Sequence, residues 1–204
     1  KIKNIKKIHS LIKKPSENPN RMSVDLKASE NPLYIIGAGV LKSNSAKKLR
    51  TFLVENDLPY VVTPLAIGFS DSNDKNYLGV LSIRGNRSAN IISQQANTII
   101  ILGCSLHQQI VGWDPKLFNP KAKKIWFEID KNVTDLRSKE ISIDDIYNIT
   151  VDQAYDAIKE NRIEKDSLKK WNSYAREIKS NFYNYKKSST ELDLYHAMDI
   201  LNRY

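Results

Sequence analysis

What most limits the folds open to this chain is a series of short apolar runs that do not alternate with polar residues. Leu33-Tyr34-Ile35-Ile36 is one, and Thr98-Ile99-Ile100-Ile101-Leu102, the most hydrophobic, is another. A strand with one wet face alternates, because successive side chains point to opposite sides; runs like these belong to strands covered on both faces. The segments between them have helical spacing. Ser43 or Asn44 can cap a helix that runs through Ala46, Leu49, Phe52 and Leu53 to about Asn56. Tyr60-Val61-Val62-Thr63 is the next strand, which makes strand, helix and strand within about thirty residues, the span of a right-handed βαβ unit. A helix over Ser88–Gln95, a strand over Lys124–Asp130, a last short strand over Ile146–Ile149 and a helix over Val151–Lys159 continue the series. The pattern predicts an α/β fold with a doubly wound, mostly parallel sheet. Such sheets bind ligands at the carboxyl ends of their strands, here Gly37, Thr63, Gly103 and Asp130.

The flanks differ in character. Ile2, Ile5, Ile8, Leu11 and Ile12 recur at helical spacing until Pro15, and a Ser/Asn/Pro loop follows. Beyond Glu160 the chain is polar and helical around Trp171, Tyr174 and Ile178. It ends in an amphipathic helix, Glu191–Leu201, that carries no core of its own. The expected organisation is a linker helix and loop over 1–30, one α/β domain over 31–160, and a linker with the start of another unit over 161–204. A chain that opens on Lys1 fits an excised fragment.

Composition narrows the function classes. Of the 204 residues, 41% are hydrophobic and 27% charged, an ordinary globular balance. The net charge of +9 raises nucleic-acid binding. The lysines, however, gather at the two ends and otherwise sit singly on helix faces, without a basic-aromatic sheet or recognition-helix pattern, so a solvated surface is the expectation and no nucleic-acid partner is expected. No apolar run approaches the roughly 20 residues of a membrane span. Cys104 is the only cysteine, which excludes disulfide scaffolds and points to a reducing cytoplasm. His9, His107 and His196 show no metal-ligand spacing.

Few residues advertise chemistry. Gly37-Ala38-Gly39, between a strand and a helix, is the start of a dinucleotide fingerprint, but Lys42 stands at the third glycine's position. A phosphate contact and a merely tight βα turn both remain open there. Thr63 is either a ligand donor or a satisfied strand end. Cys104 reads as packing, Asp71 and Asp74 as turn residues, and Asp144 and Asp145 as the start of a helix or turn. No catalytic constellation and no metal site emerges.

The wording of successive blocks is more specific. Asn31–Val40, Leu58–Gly68, Tyr77–Asn86 with Ala89-Asn90, Ala96–Gly103 and Phe118–Asp130 resemble, in this order, the central domain of thiamine-diphosphate enzymes of the acetolactate synthase family. The resemblance implies a six-stranded Rossmann-like sheet lodged between two missing domains. One would bind the pyrimidine of thiamine diphosphate and supply an activating glutamate; the other would hold the diphosphate and Mg²⁺ through a GDG…N motif. Neither motif occurs in this sequence, so the fragment is expected to be inactive alone. The parent would be a carboligase or lyase that uses the thiazolium as electron sink, assembled as a homodimer or homotetramer.

The resemblance also implies a cofactor site. Gly37, Ala38, Gly39, Thr63, Leu65, Gly85, Asn86, Gly103, Glu128, Ile129 and Asp130 fall where flavin-binding members line their FAD site, which makes FAD or ADP the candidate occupant. Two departures weaken it. Ser105 and Gln109 fill positions where those members carry arginines, so a diphosphate would lose two charge-assisted contacts of about 1.5–3 kcal/mol each. Gln108–Trp113 and the Trp171…Tyr183 spacing look more like the acetolactate-synthase-like proteins of surface-polysaccharide pathways. The alternative is a free-standing Rossmann-like dinucleotide enzyme; Thr63 and Pro64, where an acidic ribose partner would stand, argue against it.

Overall fold

The computed structural model describes residues 26, 29–161, 163, 165–183 and 194–201. The helix expected over 2–12 and the loop after it lie outside the described residues. Six strands form one sheet: β1 (Pro32–Ile36), β2 (Tyr60–Val62), β3 (Tyr77–Val80), β4 (Thr98–Leu102), β5 (Lys123–Phe127) and β6 (Asp145–Tyr147). Their order is β3-β2-β1-β4-β5-β6 and every pairing is parallel. This is the doubly wound arrangement that the apolar runs predict.

The period of two along each strand divides the core. Tyr34, Ile36, Ile100, Leu102, Ile125 and Phe127 face one side, where Leu49, Phe52 and Leu53 of α2 (Ala46–Glu55) and Ala154 and Ile158 of α6 (Val151–Glu160) cover them. Leu33, Ile35, Ile99, Ile101 and Trp126 face the other, under Ala89 and Ile92 of α3 (Arg87–Gln95) and Trp171 and Ala175 of α7 (Lys169–Tyr183). Burial on both faces is why these strands read as unbroken apolar runs.

Several boundaries differ from the sequence expectation, each for a local reason. After β1 the chain makes a short helix, α1 (Ala38–Leu41), and the Ser43 hydroxyl donates back to the Val40 carbonyl at 2.8 Å. The long helix therefore begins at Ala46, with Ser45 at its N-cap position. Strand β5 stops at Phe127 because Asp130 caps α5 (Lys131–Arg137), accepting from the Asn132 N–H at 2.9 Å. Strand β6 ends at Tyr147; the Asn148 amide then donates to the Glu128 carbonyl and to Thr134, each at 3.0 Å. Asp71 and Asp74 are turn residues as expected, accepting from the N–H groups of Asn73 and Asn76. Asp145 opens β6 and pairs with Lys123 at 3.4 Å.

Of the polar stretch beyond residue 160, Leu168 to Lys179 docks on the domain. Leu168, Trp171, Asn172 and Ala175 are buried. The Trp171 indole N–H donates to the Pro32 carbonyl at 2.7 Å, and the Asn172 amide donates to the Asp57 carbonyl at 2.7 Å. By contrast, Leu194 and Leu201 of α8 (Leu194–Leu201) are 74% and 68% exposed. Among the described residues no helix is long and apolar enough to cross a membrane.

Candidate functional site at the carboxyl edge of the sheet

The chain leaves β1 toward β2 and leaves β4 toward β5, so a crevice opens between the carboxyl ends of these adjacent strands. A cleft of about 330 Å³ lies there, at the small end of the roughly 300–1,000 Å³ typical of small-molecule sites. Of the residues expected to line a cofactor, Ala38, Gly39, Thr63, Leu65, Gly103, Glu128 and Ile129 do line it. Gly37 lies behind its wall, and Asp130 is taken up in capping α5. Gly85 and Asn86 are outside the lining, in the turn after β3, where Asn86 Oδ1 accepts from the Val80 N–H at 2.7 Å. Lys42 and His107 also line the cleft. Sequence reasoning singled out neither as a site residue; the only signal for Lys42 was its place where a third glycine would be.

The glycines serve backbone packing. The Gly37 N–H donates to the Leu102 carbonyl at 2.8 Å and the Gly39 N–H to the Gly103 carbonyl at 2.9 Å. A Cβ on Gly37 would stand 2.1 Å from the Gly103 carbonyl oxygen and 2.5 Å from the Cys104 Cα. Gly103 has φ +55°, a left-handed conformation suited to glycine, and its own missing Cβ faces the Val40 nitrogen at 2.9 Å. The two turns of the switch point are thus pressed together backbone to backbone. Two of the amides that a dinucleotide fingerprint would aim at a phosphate are spent inside the protein.

Lys42 and Glu128 are the lysine and the carboxylate among the described lining residues. Lys42 follows β1 and makes no ion pair among the described residues. Glu128 follows β5; burial raises its pKa, with the neighbouring Asp130 charge adding to the effect and the N–H groups of Asp130 and Ile129 opposing it. His107 accepts from the Gln109 N–H through Nδ1 at 3.2 Å, which leaves Nε2 as the available ring nitrogen. Cys104 is buried, its thiol pushed up to about 12 chiefly by desolvation, so it is not a thiolate nucleophile. A larger, shallow depression of about 450 Å³ lies between Trp113–Lys116 and Arg137–Glu140. There Arg137 pairs with Glu140, and Asp114 accepts from the Lys116 N–H. The switch-point cleft, at the carboxyl ends of adjacent parallel strands, is the better candidate.

A parallel sheet in this order, with a cleft at its switch point, defines a doubly wound α/β domain. Residues 22–146 match the thiamine pyrophosphate enzyme central domain family, and the chain belongs to it. It is 24% identical over 155 residues to the acetolactate synthase large subunit of Corynebacterium glutamicum, an alignment covering 76% of this chain and 25% of the relative. With the isozyme 1 large subunit of Escherichia coli acetolactate synthase it shares 31% over 106 residues, 52% of this chain and 18% of the relative. A 3D-(3,5/4)-trihydroxycyclohexane-1,2-dione hydrolase of Listeria innocua is 30% identical over 109 residues, 53% of this chain and 17% of the relative. The chain therefore spans about a quarter or less of the length of these relatives.

The family implies thiamine diphosphate in the whole enzyme. Among the described residues no three His, Cys, Asp or Glu side chains come together as a metal-ligand set.

Proposed function

We propose that this chain is the central domain of a longer thiamine-diphosphate- and Mg²⁺-dependent carboligase or lyase of the acetolactate-synthase type. Its role is to space and orient the two cofactor-holding domains; by itself it is inactive. The observation that carries this reading is the family match over residues 22–146, lying on an all-parallel sheet in the order β3-β2-β1-β4-β5-β6. The parent works in the cytoplasm as a homodimer or homotetramer and makes or breaks C–C bonds beside a carbonyl, with the thiazolium as electron sink. The switch-point cleft keeps a nucleotide site in which Thr63, Gly103 and Glu128 frame ADP, or the adenine end of FAD, weakly held. The free-standing dinucleotide-enzyme reading loses its main support, since the amides of Gly37 and Gly39 are already donated to carbonyls.

The test has two arms. The reading frame downstream should contain a GDG…N motif within about 250 residues, the span of one further domain. The 204-residue chain titrated with thiamine diphosphate and Mg²⁺ in a calorimeter should give no binding heat, and it should leave pyruvate unconsumed. Mg²⁺-dependent binding to this chain alone would overturn the proposal.

A further inference from the structure

Of the three tryptophans, Trp126 and Trp171 are buried, whereas Trp113 is 80% exposed. The chain holds it in the open through a fixed turn. Ile110 and Val111 of α4 (Gln108–Val111) are buried before it, and Phe118 is buried after it. The Gly112 N–H donates to the Gln108 carbonyl at 2.9 Å, with Gly112 in the left-handed region (φ +92°). Asp114 accepts from the Lys116 N–H at 3.1 Å, and the Leu117 N–H donates to the Asp114 carbonyl at 3.0 Å. Trp113 lines the shallow depression of about 450 Å³ together with Lys116, Lys139 and the Arg137–Glu140 pair. The ammonium groups of Lys116 and Lys139 have no ion-pair partner among the described residues. Leu117 and Leu136, each next in sequence to a lining residue, are exposed as well.

Independently of any cofactor, we infer that this depression is a docking surface for an acidic segment of another protein, an apolar side chain of that segment lying on Trp113. Tryptophan and arginine are among the residues that most often anchor protein interfaces. Here both line one depression, with Arg137 held by Glu140. Because the turn that presents the indole is already hydrogen-bonded, docking on it orders little new chain. The depression is shallow and open, so it does not enclose most of a ligand's surface as a small-molecule site does. A protein segment brings flanking contacts of its own and needs no such enclosure. The charges set the sign of the partner. Glu140 is engaged by Arg137 and Asp114 by a backbone N–H, while the Lys116 and Lys139 ammonium groups are left to meet carboxylates. The two carboxylates of the lining also count against nucleic acid, whose closely spaced phosphates would meet them.

The test is fluorescence anisotropy of a short labelled peptide, glutamates around a central phenylalanine, titrated with the 204-residue chain. Trp113→Ala should weaken binding by about 30-fold or more, the loss typical of an interface anchor. Lys116→Glu combined with Lys139→Glu should weaken it by about 10- to 100-fold. The control is Lys47→Glu combined with Lys48→Glu, on α2. That helix covers one face of the sheet, whereas Ile110, Val111 and Phe118 beside the depression pack on the other. The control should stay within about 3-fold of wild type, because solvent and salt screen distant charges. All five side chains are exposed, so the variants should keep the wild-type circular dichroism. Equal losses in the two double variants would mean attraction to net charge alone, which overturns the assignment. Unchanged binding in Trp113→Ala overturns it too, as does equal affinity for a peptide with serine in place of the phenylalanine. Displacement of the peptide by free glutamate at equal concentration would make this a small-anion site, and displacement by a single-stranded oligonucleotide a nucleic-acid site. Either result sinks the proposal, and so does the absence of binding at millimolar concentration.

Discussion

At the residue scale the switch point turns on a contact that no side chain makes. Gly37 and Gly103 are interlocked, and the Cβ of an alanine at 37 would meet backbone atoms at 2.1 and 2.5 Å, where nothing flexible can give way. Gly37→Ala is expected to cost at least about 3 kcal/mol, the upper range of core overpacking. A Cβ on Gly68 would have nothing within 4 Å, and its φ lies outside the left-handed range. Gly68→Ala should therefore stay within about 0.5 kcal/mol of wild type. Urea denaturation of the two variants checks this: equal midpoints would mean that the Gly37 turn can open. The sequence made both glycines of the turn visible but not their purpose. A phosphate cradle and a backbone contact select the same residue, and only the neighbour at Gly103, more than sixty positions away, distinguishes them. Lys42 was hidden for the opposite reason: a surface lysine after a short helix carries no pattern until the strands around it are placed.

At the element scale the informative feature is α7. Its hold on the sheet is concentrated at Asp57, a left-handed residue (φ +56°) whose carboxylate meets Arg176 at 2.7 Å, Lys75 at 3.0 Å and the Asn172 amide at 3.1 Å. Burial alone would raise the Asp57 pKa, but the Lys75 hydrogen bond, the Arg176 charge and the Asn172 bond outweigh it and the net shift is downward. A carboxyl depressed in the folded state contributes stability above its unfolded value of about 3.9, and this is lost as pH falls through the folded value. Trp171 fluorescence should therefore report loosening of α7 only below about pH 4, and in Asp57→Asn that acid-dependent part should be absent. Trp171→Ala, which empties a buried indole and orphans the Pro32 carbonyl, should cost about 3–5 kcal/mol. Truncation after residue 187 should shift Tm by no more than about 2 °C, since the described apolar side chains of α8 are largely exposed. A large loss would mean that the tail packs into this domain. Apolar runs and helical spacing made most of the sheet legible. They missed β3, whose Gly79 (φ +119°) breaks the run, leaving that strand visible only in the family resemblance. Nor did they reveal how firmly α7 docks, because its polar contacts are single groups more than a hundred residues from their partners.

At the scale of the whole molecule the question is what this domain holds when it stands alone. Backbone geometry at the switch point is that of a doubly wound sheet, but the charge is not that of a diphosphate clamp. Ser105 and Gln109 offer no charge, the amides of Gly37 and Gly39 are committed, and Glu128 adds a like charge to the lining. One lysine stands against this. Two missing charge-assisted contacts of about 1.5–3 kcal/mol each lower dinucleotide affinity by about two orders of magnitude or more. The cleft, at about 330 Å³, has room for one nucleotide unit but offers little cover for a flavin ring beyond it. Leu65, at 76% exposure, and half-exposed Ile129 leave apolar surface open in its lining. The expected outcome is a colourless preparation that takes up ADP weakly and gains no visible absorbance after incubation with FAD and desalting. A yellow protein with one flavin retained per chain would show that Lys42 and the remaining amides suffice. The weight placed here on the absent arginines would then be wrong.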